Sequence, residues 1–555
     1  MKKEVLDRPT QHVGTRSNHG YAQNPEGAEF AGQGVEHHVA SEDYQLERGL
    51  KSRHIQFLAL GGAIGTGLFV GSGAILSQTG PAPLFMGYLT MTIVVWNIMN
   101  NLAEMVTYLP LRGITVPYFT GRFVDPSLAF AGGWNYWYAY AMLVGAEVSA
   151  AGIIIVYWDP GVHIAVWMII VLVVMLLLNI IAVSFFGEAE FWFASIKLIT
   201  ITGLIILGVV IFFGGGPNQS RILGFTYWIG PGAFVEYRAK GSLGRFLAYW
   251  RAFVSAGFAF ITSPELIAIA AGETVAPRRN VPKAARRFFW RLAIFYGAAS
   301  LVIGVIIPSD EPNLLGASNA SASPFVLGIQ RVGIPVLNHI INAAVLTSAW
   351  SAGNSFLYSG SRVLYSMALD NQAPKVFRTT NRHGVPWVAV LATWSIGLLA
   401  FLNVSNSGAV VFNWFMNIST ISGFIAWIVV MITYLRFRRG LEFHGLMHTR
   451  PYITWGQPYA TWLILFLLII LTITNGFHIF IDGYWNAESF AAAYITLPIF
   501  AILYFGYKIC SRTPFFIPVD RMGLLTGKKE MDDLEVKDVP PVPKNLLQRV
   551  WFWIA

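Results

Sequence analysis

The chain has 555 residues, of which 55% are hydrophobic, 15% aromatic and only 12% charged, with a mean hydropathy of +0.54. Soluble domains carry roughly 25% charged residues, so a soluble globular surface cannot be built from this composition. The charge deficit between residues 55 and 510 reads as one large membrane domain. The net charge of +9, from 38 basic and 29 acidic residues, is scattered through short loops with no basic recognition helix, which argues against a nucleic-acid partner. Cys510 is the only cysteine, which excludes an intramolecular disulfide or a cysteine-based metal cluster.

In chain order, residues 1–50 are polar and lack the apolar core of a signal peptide, so they are expected to form a disordered cytosolic tail. From Ile55 onward about twelve hydrophobic segments follow, centred near Gly65, Val94, Met142, Leu172, Ile201, Phe260, Ser300, Trp350, Leu391, Gly423, Leu467 and Pro498. Most have the roughly 20 residues a helix needs to cross the hydrocarbon core. The runs are continuously apolar, without the ten-residue alternation of a barrel strand, so the fold class is all-α and polytopic. A transmembrane domain over 51–510 and a cytosolic C-terminal tail over 511–555 complete the division. That tail carries Pro540-Pro541-Val542-Pro543 and an apolar end, Trp551-Phe552-Trp553-Ile554.

Loop charges set the orientation. Arg278, Arg279, Lys283, Arg286, Arg287 and Arg291 follow segment six; Lys375, Arg378 and Arg382 follow segment eight; Arg436, Arg438, Arg439 and Arg450 follow segment ten. Loops near Gln78, Asn403 and Asp482 lack Lys and Arg, which places both termini in the cytosol. The loop over 214–251 breaks the rule with Arg221, Arg238, Lys240, Arg245 and Arg251, and its stretch Leu243 to Trp250 reads as an interfacial helix. Asn-x-Ser/Thr triplets at Asn218, Asn319 and Asn403 fall in the predicted outer loops.

Segment one contains Gly61-Gly62-Ala63-Ile64-Gly65-Thr66-Gly67, then Gly71 and Gly73. Glycine costs about 1 kcal/mol relative to alanine inside a helix, so this density fits a helix break that exposes N–H groups to an anion. The spacing also satisfies small-xxx-small helix packing, and both readings stand at this point. A dinucleotide loop is excluded, because the glycine spacing is off pattern and no βαβ unit surrounds it. In segment six, Phe260-Ile261-Thr262-Ser263-Pro264-Glu265 puts a proline and a carboxylate near mid-span. Two interrupted helices, each opening a block of five segments, match an inverted-repeat transporter.

Polar stripes at spacings of three and four run along segment two (Asn97, Asn100, Asn101, Glu104), segment eight (Thr347, Ser351, Asn354, Tyr358, Arg362) and segment ten (Asn413, Asn417, Thr420). Most of the Asn and Thr are accounted for by interhelical hydrogen bonds. Ionisable groups cost roughly 2.5–3.5 kcal/mol at a helix centre, so Lys197, Glu265, Glu147 and Glu104 require partners or a wet pathway, with Glu104 close to a helix end.

Ser52-Arg53-His54-Ile55 running into Leu58-Ala59-Leu60-Gly61-Gly62-Ala63-Ile64-Gly65-Thr66-Gly67-Leu68-Phe69 resembles the first-helix signature of the fungal amino acid permeases. These form the yeast amino acid transporter branch of the amino acid-polyamine-organocation superfamily. Ala271-Gly272-Glu273 with Pro277-Arg278-Arg279, and Asn354-Ser355 with Tyr358 and Ser361-Arg362-Val363-Leu364-Tyr365, are similar to its later motifs. The resemblance implies a leucine-transporter-type fold, with helices 1–5 and 6–10 as inverted repeats, two further helices, and breaks in helices 1 and 6. It implies that a substrate carboxylate meets main-chain N–H groups of Gly65, Thr66 and Gly67, and the substrate amine meets carbonyls near Ala63 and Phe260, Ile261 and Thr262. Phe260, Ser263, Ser351 and Asn417 are the implied side-chain pocket.

Lys197 resembles the family lysine whose amine takes the place of a sodium ion, and a buried lysine can load and unload a proton. Glu265 resembles the helix-six glutamate, and Glu147 joins these two as a coupling candidate. The chain departs from the family in carrying Ser263-Pro264 where Gly-Thr is common, which leaves room for atypical substrates such as carnitine or polyamines. The leading expectation is a plasma-membrane secondary transporter importing amino acids with protons by alternating access; 100 mV supplies about 2.3 kcal/mol per charge, enough for about fifty-fold accumulation. An amino acid sensor with little transport is the alternative, and an enzyme, a metal site and a cofactor are not expected.

Overall fold

The computed structural model describes residues 64–110, 115–158, 161–181, 183–265, 276–314, 323–404, 408–481 and 483–529, with Asp532 and Asn545. Every regular element among them is helical. A π turn at Gly67–Gly71 runs into α1 (Ser72–Thr79). Gly80 then turns the chain at φ +89°, a state that favours glycine, and a Cβ there would meet the Ala233 carbonyl oxygen and the Val235 nitrogen at 2.9 Å. Pro81 opens α2 (Pro81–Tyr108), where a missing N–H costs nothing because a first turn has no acceptor for it.

A short helix at Val116–Phe123 precedes α3 (Pro126–Val156), which Asp125 caps by accepting from the Ser127 N–H at 3.1 Å. α4 (Ile164–Ile181) and α5 (Val183–Phe212) follow, then α6 (Gly241–Phe260) and α7 (Pro277–Ile306, with a π turn at Ala293–Gly297). α8 (Leu337–Leu369), α9 (Trp387–Gly397, prolonged by a 3-10 turn to Val404) and α10 (Gly408–Phe443) come next. α11 (Tyr459–Ile473) and α12 (Thr496–Ser511) end the series. α3 is apolar on all sides because it is enclosed, packing on α8 and α10 along its length. α4 and α5 present Ile169, Leu177, Ile199 and Ile206 outward, as helices facing hydrocarbon do.

Among the described residues seven helices are long and apolar enough to cross a membrane, namely α2, α3, α4, α5, α7, α9 and α10, and the helix Ala487–Tyr494 with α12, bent by 42°, makes an eighth. The remaining predicted segments are shorter or more polar: α8 has 33 residues but carries the polar stripe, α11 has only 15, α1 has 8, and α6 with 20 carries Arg245 and Arg251. Gly65 lies in the bend before the first helical turn, and the other predicted centres fall inside helices.

Two expectations are corrected. Leu243 to Trp250 is not a separate interfacial helix but the opening of α6, since nothing breaks the backbone between Gly241 and Phe260. Asn403 is not an open loop side chain: it is buried and exchanges hydrogen bonds of 3.0 and 2.9 Å with Ser149 of α3. Asn218 is exposed, while Asn319, the 1–50 tail, the Ser52–Gly62 and Ala271–Glu273 motifs, Pro540–Pro543 and Trp551–Ile554 lie outside the described residues.

After α12 the chain crosses the helix ends. Ile517 donates its N–H to the Val124 carbonyl at 2.8 Å, Arg122 donates to the Gly523 and Thr526 carbonyls, and Lys508 pairs with Asp125 at 2.7 Å. Met522 and Leu524 are buried over Gly440 of α10.

Candidate functional site

The beginning of α1 and the end of α6 meet at the centre of the molecule. Leu68 and Phe69 both donate to the Gly65 carbonyl, at 3.3 and 3.5 Å. Just before them, the Thr66 N–H and hydroxyl face the Glu147 carboxylate. Gly67 is the point of closest approach: a Cβ there would lie 2.5 Å from Ala259 Cα of α6, so only glycine lets the two backbones touch. A Cβ on Gly65 would meet a Glu147 carboxylate oxygen at 3.0 Å and the Ala352 methyl at 3.3 Å. At Gly65 and Gly67 these contacts bear out the close-packing reading, and the part of the glycine run before Ile64 lies outside the described residues.

In α6, helical geometry stops at Phe260, Ile261 is extended (φ −57°, ψ 137°) and Thr262 sits at φ +64°, a left-handed state that costs a non-glycine residue roughly 1–2 kcal/mol. Helix resumes at Ser263, whose hydroxyl donates to the Phe260 carbonyl at 2.7 Å. Pro264 falls in the first turn of this second half, where proline is tolerated, so the departure from Gly-Thr is compatible with the break.

Three hydroxyls hold the crossing. Tyr88 of α2 donates to the Gly67 carbonyl and Tyr296 of α7 to the Ala259 carbonyl, both at 2.9 Å, and Ser348 of α8 donates to the Ile64 carbonyl at 3.2 Å. Phe260 stacks on Tyr296 with ring centroids 4.2 Å apart and tilts against Tyr88 at 5.9 Å. This fully buried trio braces the break from one side.

The sequence-predicted residues separate into groups. Gly65, Thr66, Gly67, Phe260, Ile261, Thr262 and Ser263 come together at the crossing and are buried. Lys197 of α5 is 1% exposed, and Glu147 of α3 faces both it and Thr66. Glu265 has a different setting, accepting from Tyr136 of α3 at 3.3 Å, with Tyr140 facing it as well. Ser351 of α8 donates to Glu190 of α5 at 2.9 and 3.0 Å. Asn417 is only half-buried on α10, and Ala63 lies outside the described residues.

Glu190 was missed by sequence reasoning although a signal existed. It precedes Lys197 by seven residues, two helical turns, so the two project from one face of α5. It is as buried as the lysine and is one of the two carboxylates that face it.

A bundle of membrane-length helices built around buried carboxylates, a buried lysine and backbone freed at a helix crossing defines a polytopic membrane transporter. The model of the family described as amino acid permease matches residues 54–516. A proline-specific permease of Emericella nidulans is 54% identical over 94% of each chain. A probable proline-specific permease of Schizosaccharomyces pombe is 56% identical over 89% of this chain and 90% of its own. Among solved structures, a nucleobase-cation-symport-1 family transporter in a closed conformation with bromovinylhydantoin bound superposes with a TM-score of 0.50 at 16% identity, covering 89% of this chain and 100% of that one, a likeness of fold. The chain belongs to the amino acid permease family. It is a multi-pass membrane permease and not an enzyme.

Proposed function

We propose that this permease imports amino acids across the plasma membrane together with protons, by alternating access, with both termini in the cytosol and proline as its principal substrate. The observation that carries this reading is the crossing of α1 and α6 at Gly67 and Ala259, next to the buried Lys197 and Glu147. A substrate carboxylate would sit at the turn of Gly65, Thr66 and Gly67, where the positive end of a helix favours an anion and the Thr66 N–H already faces the Glu147 carboxylate. The break after Phe260 supplies carbonyls to an amine. Lys197 is the group that loads and unloads the proton, with Glu147 linking it to the α1 turn and Glu265 supporting the resumed half of α6.

Proline is supported by the relatives named as proline-specific permeases and by the state of the crossing. The carbonyls of Gly67, Ala259 and Phe260 already accept from Tyr88, Tyr296 and Ser263. A secondary ammonium has two N–H groups to satisfy where a primary one has three, so it asks less of the acceptors that remain.

The test is uptake of a labelled amino acid panel, proline included, into permease-deficient cells with and without a protonophore. Proline uptake that collapses with the gradient is expected. Uptake indifferent to the protonophore overturns proton coupling, and surface expression without uptake of any amino acid overturns the transport reading in favour of a sensor.

A further inference from the structure

Lys197 cannot hold its charge inside α5 unsupported, since an ionised amine removed from water needs an anion and hydrogen bonds around it. Two carboxylates face it, Glu190 on its own helix and Glu147 on α3, and all three groups are almost fully buried. The carboxylates differ in what else they touch. Glu147 abuts the α1 turn at Gly65 and Thr66, with Tyr296 of α7 also facing it. Glu190 turns the other way, to α8, where Ser351 donates to both its oxygens at 3.0 and 2.9 Å and Ser355, one turn further, faces it too. The lysine is therefore bracketed by an acid on the substrate side and an acid fastened to α8.

Resting on the proton-coupled reading above, we propose that Glu190 is a positioning residue for Lys197: its carboxylate supplies the counter-charge for the protonated lysine and, through Ser351, ties the lysine's charge state to the position of α8. Loading a proton on Lys197 strengthens its attraction to Glu190 within α5 and fixes the carboxylate that accepts from Ser351 of α8. Losing it removes the cation from the carboxylate that Ser351 and Ser355 of α8 face, and so changes the strength of that interhelical contact. The serine bridge gives that change a mechanical output at the helix that carries Ser348, the donor to Ile64 beside the substrate turn.

The experiment uses the full chain in proteoliposomes with labelled proline, measuring counterflow exchange, accumulation driven by an imposed pH gradient, and the pH dependence of uptake. Glu190→Gln is expected to retain exchange within about three-fold of the original. Its accumulation should fall to a ratio near one, and the pH of half-maximal uptake should move to more acidic values, by about one unit for the loss of a close charge. Glu190→Asp is expected to restore part of both. Wild-type accumulation and an unmoved pH profile in Glu190→Gln overturn the proposal. If Glu190→Gln fails to reach the membrane, Glu190→Gln combined with Lys197→Met decides: recovery of folded protein supports a charge pair, and no recovery overturns it. Wild-type protein that exchanges proline but never responds to a pH gradient sinks the proton-coupled reading itself, and the single and double variants then still judge the pair by folded yield.

Discussion

Buried carboxylates occur in two regions of this permease, and they are treated in opposite ways. Glu104, near the end of α2, is saturated: one oxygen accepts from the Thr454 N–H at 2.7 Å and from the Thr454 hydroxyl, and the other accepts from Tyr434 at 2.9 Å and Arg450 at 3.1 Å. Its charge is matched by the arginine and its lone pairs are used, so the group behaves as a rivet joining α2, α10 and the segment before α11. At mid-bundle, one oxygen of Glu147 and one of Glu265 are buried without a hydrogen-bond partner. Leaving such an atom unpaired costs about 1–3 kcal/mol. Glu104 is thus fixed from several sides, whereas Glu147 and Glu265 each keep one oxygen outside any hydrogen bond.

The most severe test of this contrast is Lys197→Ala. Removing the amine between Glu147 and Glu190 is expected to abolish gradient-driven accumulation, from a ratio of about fifty to about one for a 100 mV drive, while some exchange survives. Unchanged accumulation removes the lysine from coupling. Next is Gly67→Ala, whose methyl would collide with Ala259 Cα at 2.5 Å; uptake per molecule is expected to fall at least ten-fold, consistent with about 1–3 kcal/mol of overpacking. Gly203→Ala, on the same kind of helix but with nothing within 4 Å, serves as the control and should leave uptake intact while gaining up to about 1 kcal/mol of stability.

Glu104→Gln is expected to do the reverse of Lys197→Ala. It leaves Arg450 without its anion, so thermal stability in detergent should fall by about 3 kcal/mol while the proton coupling of surviving molecules is unchanged. Altered coupling without lost stability would erase the distinction between the two regions. The smallest effect concerns Asp370 at the end of α8, whose carboxyl burial pushes up to about 7 against the opposing pull of Arg378. A raised carboxyl binds its proton more tightly when folded, so stability should decline as pH rises from about 4 to about 7 and then level off. Asp370→Asn should flatten that slope in a thermal-shift series.

Much of the fold was legible because lipid constrains sequence more strictly than water does. Continuous apolar runs had to be helices, and the runs centred on Met142, Leu172 and Gly423 are α3, α4 and α10. The Gly65-Thr66-Gly67 and Phe260 to Ser263 segments were legible as special for the same reason, since glycine and proline at mid-span are costly unless the backbone departs from a helix. Lys197 and Glu147 stood out by charge alone. Harder to see were relations between helices. Asn403 looked like a loop asparagine, yet Ser149 draws it inward. Phe260 looked like a pocket wall, and its ring is stacked on Tyr296. Ser351 was legible as a polar residue on the stripe of α8, but its bond to Glu190 was not.

By itself the amino-acid sequence determined that this chain is a helical membrane protein, where its apolar segments lie, and which few charges stand inside them, because each of those is a property of single residues and their periodicity against a hydrocarbon solvent. Which acid faces which base was decided only in three dimensions. Glu104, Glu147 and Glu190 are the same residue type in similar apolar surroundings of the sequence. They differ because the packing of α2, α3, α5, α8 and α10 brings an arginine and a threonine to the first, a glycine turn to the second and a serine to the third.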